Sequence, residues 1–155
     1  MAAAAVLLAG AVYAYIGIAE ARSGEDLASA QSDAAAAAGS AAETVFSFRY
    51  DQLDDHLKTS KALMTPKFRD EFDKVAPGLT NLAPQRKIVV EAVTREAAPL
   101  GCGDECSESK VKVLVFVDQA RLIGDSKQPT VFGNRITLSM VERDGTWLVD
   151  DIRAL

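Results

Sequence analysis

The chain has 155 residues, with 17 Lys and Arg against 22 Asp and Glu, for a formal net charge of −5. Because the cations are scattered among the acids, no basic stripe forms, which excludes nucleic acid and acidic lipid surfaces as partners. Hydrophobic residues make up 48% of the chain, much of it alanine near the N-terminus, leaving about 110 residues for one small domain of ordinary composition and no more.

Ala2 to Ala19 contains no charged side chain. As a helix, Met1 to Ala19 is about 28 Å long at 1.5 Å per residue, close to the roughly 30 Å of a bilayer's hydrocarbon core. Residues 1–19 are therefore expected to be a single-pass transmembrane anchor. Tyr13 and Tyr15 suit the interface, and Gly10, Ala14 and Gly17 offer a small-residue face to a neighbouring membrane helix. Ala19-Glu20-Ala21 also has the small-x-small look of a signal-peptide processing site. Against cleavage, there is no basic n-region, the run exceeds the roughly 7–15-residue core of a signal peptide, and helix-compatible sequence continues past it. Only Arg22 closely follows the run, so charge says almost nothing about orientation, and a basic cytoplasmic tail is expected upstream of Met1.

Residues 20–43 read as an alanine-rich helical stalk, a spacer or a surface for close approach of a partner helix. The external domain is expected over 44–155. Phe46, Tyr50, Leu53 and Leu57 fall on one helical stripe, with Tyr50 as a core tyrosine and Asp51, Asp54 and Asp55 on the solvated surface. Thr65-Pro66 fits an N-cap followed by proline at the first helical position, opening a helix with Phe68, Phe72 and Val75 on its apolar face. That helix is expected to break at Pro77-Gly78, with 81–86 as a connector.

From Lys87 the period changes to two. Lys87 to Ala97 predicts a first strand, Val111 to Asp118 a second, and Gly124 to Gly133 a loop. Ile136, Leu138 and Met140 alternate in a third strand, and Asp144-Gly145 supplies the positive-φ pair of a two-residue hairpin turn leading to the fourth. The turn sets a register in which Glu142 faces Trp147, Met140 faces Val149 and Leu138 faces Asp151. Met140, Trp147 and Val149 then lie in the core under the helices, giving an α+β domain with helices on an antiparallel sheet. Cys102 and Cys106 bracket a short loop and would pair as a disulfide in an oxidising compartment. A zinc site wants about four spaced ligands, whereas His56 is the only histidine, so no metal is expected.

An anchor, an alanine-rich stalk, helices and then four strands resembles the Mce-associated membrane proteins of actinobacteria. The segments that carry the likeness are Phe46 to Asp55, Val111 to Gln119 and Asp144 to Ile152. The resemblance implies a cystatin-like or nuclear-transport-factor-two-like cone. It also implies a C-terminal domain in the periplasmic space outside the cytoplasmic membrane, and association with permease and Mce subunits of a lipid importer. It brings no catalytic residue set.

Some domains of this fold are enzymes that use a carboxylate or histidine base, which singles out Tyr50, Asp51, His56, Asp118 and Asp151. All but Asp118 have a simpler structural role: a satisfied core tyrosine, a solvated helix face, an exposed or salt-bridged histidine and, for Asp151, a salt bridge at the sheet edge. With no Gly-rich phosphate loop, nucleophile elbow or metal-ligand pair, neither a catalytic residue nor a cofactor is expected. The expectation is a non-enzymatic accessory subunit that stabilises an Mce complex in the membrane. Alternatives are a cone that binds lipid or another small molecule, and an assembly scaffold of the secretion-system type. Phe116, Leu138, Met140 and Trp147 are bulky enough to fill the cone, which favours bracing over binding.

Overall fold

A computed structural model describes residues 2–101, 103 and 106–155, and of residues 2–23 the helical backbone alone. Helix α1 runs unbroken over Ala2–Phe46, 45 residues, about 67 Å at 1.5 Å per residue. Alanine gives it high helical propensity, and the same small side chain decides its packing. Ala34, Ala38, Ala41, Ala42 and Val45 recur at helical spacing and are buried. The spacer reading of 20–43 is therefore corrected: Ala34, Ala35, Ala38, Ala41 and Ala42 belong to the core face of the domain's main helix. Side chains this short let the helix axis sit close to the sheet.

The sheet is an antiparallel meander in the order β1 to β5, formed by β1 Phe48–Arg49, β2 Val89–Leu100, β3 Lys110–Leu122, β4 Thr130–Arg143 and β5 Thr146–Ala154. Its inner face presents Val111, Val113, Val115 and Val117 from β3, Ile136, Leu138 and Met140 from β4 and Val149 from β5, all in one core with the α1 alanines, Met64 and Phe68. The register of β3 puts the odd-numbered valines inside. Phe116, expected to help fill the cone, is instead 39% exposed on the outer face.

Both sheet edges are covered, as edge strands require. Where β1 no longer shields β2, α1 does: the Ala92 amide donates to Ser47 Oγ at 2.9 Å, the Thr94 amide to Glu43 Oε1 at 2.8 Å, and Thr94 Oγ1 to the Gly39 carbonyl at 2.9 Å. Gly39 permits that approach, since a Cβ there would lie 3.3 Å from Thr94 Cγ2. At the other edge, the Val149 amide donates to the Leu63 carbonyl at 2.8 Å and the Thr65 amide to the Val149 carbonyl at 2.9 Å.

Helices α2, Leu53–Ala62, and α3, Pro66–Arg86, lie between β1 and β2. The stripe expected from Phe46 to Leu57 is interrupted, because α1 ends at Phe46 and Phe48 and Arg49 pair with Val90 and Val89. Tyr50 falls in the following turn, its amide donating to the Ile88 carbonyl at 3.0 Å. It is half-buried and outside the core, which corrects its expected place. Thr65 caps α3 through the Phe68 amide as expected. The helix does not break at Pro77-Gly78: it continues through Pro77 and Pro84 to Arg86, and buries Phe68, Ala76 and Ala83. Both prolines are exposed, so each lost amide falls on the solvent side, where it costs least. Val75, expected on the apolar face, is 66% exposed.

Asp144 and Gly145 take φ of 52° and 78°, and the expected pairs Glu142–Trp147 and Met140–Val149 form. Asp150 then bulges out, so Ser139 opposes Asp151 and Leu138 opposes Ile152. This corrects the pairing of Leu138 with Asp151: one extra residue returns an apolar side chain to the inner face. Trp147 is half-buried against the rim of the core, whereas Met140 and Val149 lie inside it.

Candidate interaction site

The cone interior is filled. Met64, Leu138, Met140, Val113, Val115 and Val149 are fully buried side chains, and among the described residues no buried polar side chain lacks a hydrogen-bond partner. Among the surface recesses, one opens on the cone and another lies beside His56. One, of about 340 Å³, sits at the mouth of the cone between Phe46, Val117, Ile136, Ile152 and Leu155, beside an Asn134 Nδ2 that donates to Gln119 Oε1 at 2.7 Å. The other, of about 480 Å³, is a groove lined by β1 and β2 on one side and by Gln52, Asp55, His56 and Thr59 of the α2 segment on the other.

His56, expected to be exposed or salt-bridged beside an acidic helical face, is half-buried. Its ring centroid lies 5.9 Å from that of Phe48, tilted by 49°, and its Nδ1 lies 3.5 Å from Ser60 Oγ. Burial lowers its pKa, opposed by a backbone hydrogen bond at Ser47, so the neutral imidazole is favoured. The three aspartates among the candidates for chemistry are tied up in ion pairs: Asp51 with Arg49 at 3.2 Å, Asp118 with Arg95 at 2.7 Å, and Asp151 with Arg153 at 2.7 Å. Tyr50, Asp51 and His56 belong to the β1–α2 segment, whereas Asp118 and Asp151 lie on the sheet's outer face; the five do not converge on one site. Among the described residues there is no group of three or more His, Cys, Asp or Glu able to hold a metal.

The residue that sequence reasoning passed over is Asp150. Its carboxylate accepts from Thr65 Oγ1 at 2.8 Å and from Lys67 Nζ at 3.2 Å, tying the last strand to the start of α3. Burial pushes its pKa up, but the hydrogen bonds from Thr65 and Lys67 and the charges of Lys67 and Arg143 outweigh that and hold it below the ordinary carboxylate value. The bulge makes this contact possible, and the available sequence signal was the capping threonine combined with a paired Asp-Asp in a strand.

Cys106 is disulfide-bonded, while Cys102, the only other cysteine, lies outside the described residues. The side chains of Gly10, Ala14 and Gly17 and of the whole expected anchor also lie outside the described residues. Among the described residues, no helix is long and apolar enough to cross a membrane.

No family model matches the chain. It is 28% identical over 121 residues to a Mycobacterium tuberculosis protein described only as uncharacterized, covering 75% of this chain and 51% of that one, and the same protein is found in a second strain. The chain thus spans about half the length of the curated relatives it matches. Among solved structures it is similar to an IcmL-like type IV secretion system protein of Legionella pneumophila, with a TM-score of 0.63 at 12% identity, covering 78% of this chain and 88% of that one. It is also similar to the periplasmic domain of DotI, with a TM-score of 0.60 at 16% identity over 78% and 91% of the two chains. CagV, a VirB8 homolog of the type IV secretion system of Helicobacter pylori, gives 0.58 at 14% identity over 77% and 96%. At such identities the likeness is one of fold: an α+β domain with helices packed on a curved antiparallel sheet, of the kind found in VirB8-like secretion proteins.

Proposed function

We propose that this chain is a membrane-anchored scaffold subunit, whose external domain holds a multi-subunit envelope complex together through protein contacts and performs no chemistry of its own. The observation that carries the reading is the filled cone: the interior that serves binding or catalysis in other domains of this shape is occupied by Leu138, Met140, Met64 and the β3 valines. Its support comes from the fold shared with named components of type IV secretion systems. Those names favour a secretion-type assembly. The Mce lipid importer, suggested by Val111 to Gln119 and Asp144 to Ile152, is the other complex that the scaffold could serve, with a permease and Mce proteins as neighbours and the domain outside the cytoplasmic membrane.

Affinity purification of the full chain from native membranes in mild detergent, with mass spectrometry of what accompanies it, tests the proposal. Secretion-apparatus subunits or Mce permease and ATPase subunits in constant ratio to the chain are expected, and which set appears decides between the two complexes. Recovery of the chain alone overturns the scaffold reading. The recess at the cone mouth favours one competing reading, a small apolar ligand held beside Ile136 and Ile152. Ala154→Trp, which fills that recess, is expected to leave the complex and its activity intact; loss of activity with the complex still assembled would favour the ligand.

A further inference from the structure

We propose that the end of the domain remote from the N-terminus of α1 is a docking surface for a protein segment that combines acidic and apolar side chains. The inference rests on the scaffold reading and specifies where that scaffold grips. Gly39 lies against Thr94, Ser47 bonds to Ala92 and Phe48 pairs with Val90, so α1 runs antiparallel to β2 and points its N-terminus away from the start of that strand. At this far end β3 and β4 remain paired as far as Arg121–Thr130, past the last buried residue of either strand, with β2 beside β3 as far as the pair Val89–Leu122.

The turn between β3 and β4 is tied to the end of α3. The Gly124 amide donates to the Arg86 carbonyl at 2.9 Å, and Lys87 Nζ lies 3.5 Å from Asp125 Oδ1. Leu82, Ile123 and Phe132 are exposed there, and the Arg121 guanidinium lies 4.7 Å over the Phe132 ring, a contact that holds a cation and an aromatic together in the open; Val131, the strand neighbour of Phe132, faces the other side of the sheet. Residues 82–88 and 121–132 carry Arg86, Lys87, Arg121 and Lys127 against Asp125 alone, in a chain whose net charge is −5. These two segments are thus locally cationic in an acidic protein. The acids nearest in sequence to β1, Asp51 and Asp54, line a groove that adjoins this end at Thr80 and Pro84.

Arginine and aromatic side chains at an exposed apolar patch are the composition of an interface anchor, and the clustered cations select an acidic counterpart. Two copies meeting at this end would bring like charges together, which disfavours a symmetric dimer there. A bilayer that holds the N-terminus of α1 lies at the opposite end, which disfavours lipid.

The test places a photo-crosslinking amino acid at Ile123 of the full chain in its native membrane, with Val75 on α3 as the exposed control. The expected product is a crosslink to a partner whose mapped residues lie in a segment bearing Asp or Glu and apolar side chains. The yield should fall about tenfold or more in Arg121→Glu with Lys127→Glu, the equivalent of about 1.4 kcal/mol. Trp147, at the other end of the sheet, reports by fluorescence that the variant stays folded. Crosslinks no stronger than at Val75, crosslinks to lipid or to a second copy, or a yield indifferent to the charge reversal each overturn the proposal. If the complex co-purifies with the chain while crosslinks at Ile123 never form, the scaffold stands and this surface falls.

Discussion

Helices α1 and α3 are both long, yet the sheet holds them by opposite means. The core half of α1 is pressed against the strands along its length through alanines and Gly39, with Glu43 and Ser47 sealing the β2 edge. Helix α3 is fastened at its start, by the Thr65 cap, Phe68, and an Arg69 whose Nε donates to the Lys61 and Met64 carbonyls at 2.7 and 3.0 Å. Beyond that it buries only Ala76 and Ala83. Small side chains give continuous contact, whereas large ones give a few strong points, and the two helices should fail in different ways.

The largest effect is expected in α1. Ala38→Glu forces an unpartnered carboxylate into the core and should cost more than about 4 kcal/mol, enough to unfold a domain of ordinary stability. Ala36→Glu, on the exposed side of the same helix, should change stability by no more than about 0.5 kcal/mol. Urea titration followed by Trp147 fluorescence measures both, and equal tolerance of the two would break the account of α1 as a core helix.

An intermediate effect belongs to the pinned start of α3. Thr65→Ala removes both the cap and the hydrogen bond to Asp150 and should cost about 1–2 kcal/mol, while Val75→Asp further along should be nearly neutral. The same contact carries a pH dependence. Because the folded pKa of Asp150 is lowered, its stabilisation is fully present above the unfolded value of about 3.9 and is lost as pH falls through the folded value. Asp150→Asn should flatten the acid limb of a stability–pH curve below about pH 4; an unchanged limb would remove Asp150 from the fastening.

The smallest effect compares two glycines of α1. Gly24→Ala meets nothing within 4 Å and should raise helix stability by up to about 1 kcal/mol through propensity alone. At Gly39 the same gain is opposed by the 3.3 Å approach to Thr94 Cγ2, and the net change should be smaller or reversed. Amide exchange across α1 distinguishes the two, and an equal gain at both sites would mean that the helix does not press on β2 as closely as described.

What was legible in the sequence follows the same division. The hairpin could be read because alternation and the Asp144-Gly145 turn specify strand, face and register together. The capped start of α3 could be read because Thr65-Pro66 fulfils a local requirement. The alanines of α1 could not be assigned, because alanine suits a solvated helix and a close-packed one equally, and only Gly39 set among Ala34, Ala38 and Ala42 hinted at near contact. The bulge at Asp150 was invisible because one inserted residue leaves the alternation intact on either side. Pro77-Gly78 looked like a terminus, although Phe68, Phe72, Ala76 and Ala83 keep one helical face across it. The groove beside His56 depends on the break after Phe46, which helical spacing of apolar residues had concealed.

The unbroken backbone of α1 also fixes an angular phase between whatever lies at its start and the sheet packed on its end. Adding a single residue between Gly24 and Asp33 would turn the upstream helix by about 100° relative to the domain and lengthen its reach by about 1.5 Å, whereas adding seven would nearly restore the bearing at about 10 Å greater height. A linker of random coil would absorb either change without consequence. This helix converts the length of the chain into the heading of the domain.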